Sequence, residues 1–122
     1  MVAEPDPLRV ATERLIAFAA AGADCLYAPG VSKPEEIGAI VKAVSPKPVN
    51  VLVSKFNSDL TVSRLADLGV RRISVGSALS SVAWGAFMSA ARRIVDAGSF
   101  DVFAGAASSR EIDDLFAKSS GQ

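Results

Sequence analysis

The sequence contains no histidine and a single cysteine. A Ser-His-Asp triad, a Cys-His pair and an imidazole-ligated metal are therefore excluded within these 122 residues. A lone Cys25 closes no internal disulfide and builds no thiolate zinc site; it fits a reducing cytoplasm, the expected location. A metal, if any, would be a hard cation held by carboxylates. Neither sign of charge is in excess, with 13 Lys and Arg against 13 Asp and Glu. That balance gives no electrostatic reason to expect nucleic acid or a membrane surface as partner, and it opposes self-association only weakly. No apolar run approaches the roughly 20 residues of a membrane span. The stretch Met1-Val2-Ala3-Glu4-Pro5-Asp6-Pro7 lacks the basic start and apolar core of a signal peptide.

Half of the residues are apolar, as in a packed globular chain, and their spacing alternates between two patterns. Asp6-Pro7 opens a helix in which Leu8, Ala11, Leu15, Ile16 and Ala19 share a face, closed at Gly22. The strand-length run Asp24 to Ala28 follows and stops at Pro29-Gly30. Ser32 or Lys33 leads into a second helix, with Pro34 and Glu35-Glu36 in its first turn and Ile37, Ile40, Val41 and Val44 on one face. Val49 to Val53 reads as a β-branched strand, and Ser58 or Asp59 as the cap of a helix carrying Val62, Leu65 and Leu68, ended by Gly69. Val70 to Val75 is a third strand. A long helix over about Leu79–Ala97 follows, with Trp84, Met88, Ala91 and Val95 as its expected buried side. A loop with Phe100, Val102 and Phe103 precedes a last helix at 109–118, and 119–122 read as a tail. The order α-β-α-β-α-β-α-α predicts parallel strands with right-handed crossovers, buried on both faces, in one domain spanning 1–122.

In parallel α/β folds, chemistry collects where strands end. Those ends are Ala28-Pro29-Gly30, Asn50 to Ser54, and Ser74 to Ser77. Asn50 interrupts an apolar strand, and a buried amide needs partners. It either holds a substrate oxygen inside a barrel or bonds a neighbouring strand. Gly76 and Ser77 precede a helix, so their backbone N–H groups either bind an anion or simply make a capped turn. Gly30 either lets a ligand approach the backbone or completes a turn. Arg71-Arg72 read as surface charge away from the site, Arg92-Arg93 as a solvated or interface pair, and Cys25 as a buried small hydrophobe. No carboxylates pair at strand ends, so no catalytic residue and no metal ligand is assigned.

Three segments carry a family resemblance: Ala19 to Gly30, Pro48-Val49-Asn50-Val51-Leu52, and Leu65-Ala66-Asp67-Leu68-Gly69-Val70-Arg71-Arg72-Ile73-Ser74-Val75-Gly76-Ser77-Ala78-Leu79. Together they resemble the C-terminal half of isocitrate lyase/phosphoenolpyruvate mutase family proteins. The resemblance implies a (β/α)₈ TIM barrel, of which this chain matches strands six to eight with their helices. It also implies Mg²⁺-dependent cleavage or formation of a C–C or P–C bond in small 2-oxo or hydroxy carboxylates such as oxaloacetate or 2-methylisocitrate. The family's magnesium-binding acids, its catalytic loop and its substrate-clamping arginine belong to the first five strands. The expectation is therefore a chain that binds no metal and lacks catalysis alone, contributing Asn50, Gly30, Gly76 and Ser77 to a substrate site. A full barrel takes about 250 residues. Open strand edges and the last helices then predict a homo-oligomer, a dimer or larger, that completes the sheet.

Overall fold

The computed structural model describes residues 6–119. Its elements are α1 (Pro7–Ala20), β1 (Leu26–Tyr27), α2 (Pro34–Val44), β2 (Val49–Leu52), α3 (Val62–Asp67), β3 (Arg72–Ser74), α4 (Ala78–Ala97), a 3₁₀ helix (Asp101–Gly105) and α5 (Ser109–Ser119). The strands form one parallel sheet in the order β1-β2-β3. The chain divides at Leu79/Ser80 into two units, each treated by itself. The tail expected at 119–122 is corrected at Ser119, which ends α5, and its remaining residues 120–122 lie outside the described residues. No helix among them is long and apolar enough to cross a membrane.

The first unit is ruled by helix stops. Asp6 caps α1 by accepting from the Leu8 N–H. The helix ends in a Schellman motif: Gly22 N–H donates to the Ala19 carbonyl and Ala23 N–H to that of Phe18. α3 ends the same way, with Gly69 N–H on Ala66 and Val70 N–H on Leu65. Gly69 has φ +87°, and a Cβ there would sit 2.9 Å from Val41 Cγ1, so only glycine fits. Leu15, Leu26, Ile37, Ile40, Val44, Val49, Val51 and Leu65 then form one buried cluster with Leu60 and Val70. The helices α1, α2 and α3 thus pack on the sheet face that carries Leu26, Val49 and Val51.

Several expectations are corrected. β1 is only two residues long, because its partner strand starts after Pro46 and Pro48, which lack the N–H a ladder needs. Cys25 lies in the bend before β1 and is exposed, not buried. The α3 cap is Thr61, whose hydroxyl accepts from Arg64 N–H, not Ser58 or Asp59. Burial on both faces holds for β2 alone; β3 sits at the sheet edge with Ile73 37% exposed. Trp84, Met88, Ala91 and Val95 are all exposed, since α4 has no buried residue. Apolar spacing marks a face that would gain from cover but supplies no layer to cover it.

In the second unit Arg93 grips Asp101 through two hydrogen bonds, of 3.0 and 2.7 Å. The pairing holds the Asp101 carboxyl below its ordinary value. Trp84 and Phe87 meet edge to face at 5.5 Å. Ser108 and Glu111 form a capping box: Glu111 Oε2 accepts from the Ser108 N–H at 2.7 Å, and Ser108 Oγ accepts from the Glu111 N–H.

Three outcomes follow for stability. Ile37→Ala should cost about 2–5 kcal/mol, and Gly69→Ala more than about 1 kcal/mol, in urea unfolding followed by circular dichroism. The hydrogen bonds from Ser108 lower the Glu111 pKa on folding, first through the backbone N–H and then the hydroxyl. A depressed carboxyl contributes stability that is present above its unfolded value and lost as pH falls through its folded value. The first turn of α5 should therefore fray in acid below the ordinary glutamate range. NMR shifts of residues 108–112 should report this with a midpoint below that of the urea-unfolded chain, and Glu111→Ala should abolish the transition.

Candidate functional site

The sheet register brings Tyr27, Asn50 and Arg72 side by side, and Leu52 beside Ser74. Strand alternation puts these side chains on the face opposite Leu26, Val49 and Val51, away from the helices of this unit. Asn50 is 4% exposed on that face. Its Nδ2 donates to Ser74 Oγ at 3.0 Å, and Arg72 Nη1 donates to its Oδ1 at 3.4 Å. An unpartnered amide here would cost about 1–3 kcal/mol. Among the described residues, no buried side-chain polar atom lacks a partner. Asn50 thus bonds its neighbouring strand, and Arg72, exposed at the first residue of β3 as the sequence reading had it, adds a bond to the amide that the reading did not foresee.

The other predicted residues lie toward the C-terminal ends of the strands. Gly30 follows β1 with φ +86° and open space where a Cβ would stand. Gly76 follows β3 with φ +55°, and a Cβ there would stand 3.4 Å from Leu52 Cδ1 and 4.0 Å from Ser54 Cβ. Ser77 is exposed in the turn before α4. A cleft of about 270 Å³ opens where β1 and β2 end, lined by Gly30, Ser32, Leu52, Ser54, Lys55 and Phe56 among others. Of the predicted residues the cleft takes in Gly30; Asn50, Gly76 and Ser77 are not in its lining. Sequence reasoning missed Lys55, although its place just beyond β2 was a usable signal, and it missed the partnership of Arg72 with Asn50.

Magnesium wants oxygen ligands, chiefly carboxylates and water. Among the described residues no group of three or more His, Cys, Asp or Glu side chains could hold a metal. The cleft lining includes no carboxylate and one ammonium. The donor set present does not fit this ion.

Residues 1–95 match the sequence profile of phosphoenolpyruvate phosphomutase. The chain belongs to that family. A candidate lyase/mutase from Burkholderia cenocepacia J2315 is 43% identical, with a TM-score of 0.81, over 90% of this chain and 39% of that one. An uncharacterised protein of Mycobacterium tuberculosis strain H37Rv is 34% identical over 69% of this chain. This chain spans 31% of the length of that relative. A 2,3-dimethylmalate lyase of the PEP mutase/isocitrate lyase superfamily superposes with a TM-score of 0.73 at 17% identity, over 92% of this chain and 40% of that one. At that identity the likeness speaks for the fold: a parallel α/β arrangement of the kind these lyases share.

The Asn50 cluster is testable without a ligand. Asn50→Ala should cost about 1–3 kcal/mol, and a double-mutant cycle with Ser74→Ala should return a coupling of about 0.5–1.5 kcal/mol in urea unfolding. A coupling near zero would mean that the 3.0 Å bond adds nothing to stability.

Proposed function

We propose that this chain supplies strand-helix units six to eight of a lyase-type (β/α)₈ TIM barrel and one wall of a site for a small 2-oxo or hydroxy carboxylate. The observation that carries the reading is the polar face of the first unit's sheet. The unit's three helices share a core with one sheet face, and the other face carries a buried, hydrogen-bonded amide at Asn50. A doubly wound sheet covers both faces with helices; a barrel turns one face inward.

In this reading Asn50 belongs to the inner wall, Gly30 and Gly76 let substrate approach the backbone, and Ser77 offers its hydroxyl beside a helix start. Any magnesium would in this reading be held by residues of the first five strands and would supply Lewis-acid chemistry there. The chain alone is then without catalysis. The expected compartment is the cytoplasm, where exposed Cys25 stays a thiol.

The test is to mix this chain with a polypeptide carrying the first five strands of the Burkholderia relative and to assay cleavage of oxaloacetate and 2-methylisocitrate. Cleavage should appear only in the mixture and vanish with a chelator. Asn50→Ala should lower kcat/KM about 10- to 100-fold, roughly 1.4–2.7 kcal/mol of transition-state stabilisation. An inactive but well-folded mixture across these acids would overturn the reading.

A second reading, a non-catalytic assembly module, is favoured by what the single chain leaves bare. Among the described residues β1 and β3 each pair with β2 alone, and Val82, Trp84 and Phe87 are each at least 62% exposed. Sedimentation should then show a dimer or larger; a stable compact monomer would decide against it.

A further inference from the structure

We infer that Lys55 is the residue by which this chain holds the carboxylate of an anionic ligand, in the cleft where β1 and β2 end. The inference deepens the reading above, since it rests on the C-terminal strand ends facing the site.

Lys55 stands three residues beyond the last residue of β2, at the end of the strand where parallel α/β folds place their chemistry. It is the one charged side chain in the lining of the cleft. Elsewhere in this unit Arg9 pairs with Glu13 and Lys33 with Glu36, at 2.7 and 3.1 Å. Lys55 has no ion pair among the described residues, as is also true of Arg14, Lys42, Lys47, Arg64 and Arg71, and what distinguishes it is its place in the cleft lining. Its ammonium is therefore uncompensated, next to a concave surface rather than on a convex one.

The neighbours suit a small acid. Ser32 and Ser54 bring hydroxyls that can donate to a carboxylate oxygen, and Gly30 leaves the backbone open to approach. Phe56, next to Lys55 and in the same lining, is 97% exposed. A ligand in the cleft would give that ring something to cover. At about 270 Å³ the space falls just under the usual range for drug-sized ligands and suits a molecule of a few carbons.

The probe is oxalate, titrated into the full chain in magnesium-free buffer and followed by amide NMR, with sodium chloride at matched ionic strength as control. The expected result is saturable shifts centred on Gly30, Ser32, Ser54 and Lys55. Lys55→Gln should weaken binding at least tenfold, whereas Lys55→Arg should keep most of it. Unchanged binding in Lys55→Gln, or shifts matched by the chloride control, would overturn the inference. In the completed enzyme, Lys55→Gln should raise KM more than tenfold and change kcat less than threefold. An unaffected KM in an active mixture overturns the role of Lys55 and leaves the lyase reading standing. Local oxalate binding with no cleavage in any mixture supports Lys55 and removes only the lyase reading.

Discussion

A parallel strand at the centre of a sheet has both ladder edges committed and both faces covered, so any polar side chain on it must be satisfied by the strands beside it. Asn50 puts that constraint on β2. Its amide is met by Ser74 and Arg72, both on β3, two residues apart and therefore on the same face. The bonds fix which face of β3 turns with Asn50. A one-residue slip would send Ser74 and Arg72 to the helix side and leave the amide unpaired. The register of β3, and through it the position of Gly76 against Leu52 and Ser54, follows from one side chain.

The same sheet divides its polar groups by height. Asn50 and Arg72 sit toward the strand starts, partnered and structural in the single chain. Gly30, Ser54 and Lys55 sit beyond the strand ends, where the cleft opens. In a barrel the first level supports and the second does chemistry. The upper level offers hydroxyls that can donate to an anion and one ammonium that attracts it.

Much of this was legible in the residues, for physical reasons that can be named. Ile37, Ile40 and Val44 repeat at the helical period and are buried as that period requires. Gly22 and Gly69 end helices because both adopt positive φ. Pairing was not legible. Nothing in Val70-Arg71-Arg72-Ile73 tells which arginine turns toward β2, because alternation gives two parities and only the neighbouring strand selects one. Cys25 and the aromatic face of α4 failed for a related reason. Apolar character predicts a preference for burial, and burial needs a second surface that local spacing does not contain.

That last point bears on how the exposed apolar groups should be read. α4 carries Val82, Trp84, Phe87 and Val95 in a 20-residue helix without a buried side chain. A helix of that composition draws little of its stability from solvent, since packing of an apolar face supplies most helical stability in proteins. What the second unit provides internally is largely polar: the Arg93–Asp101 pair and the Ser108–Glu111 capping box, all exposed and each worth little in water. Polar clasps of this kind shape the ends of helices and leave their faces free. α4 therefore draws no stability from burial of its apolar side chains among the described residues, and the first unit differs because its helices and sheet bury such side chains against one another.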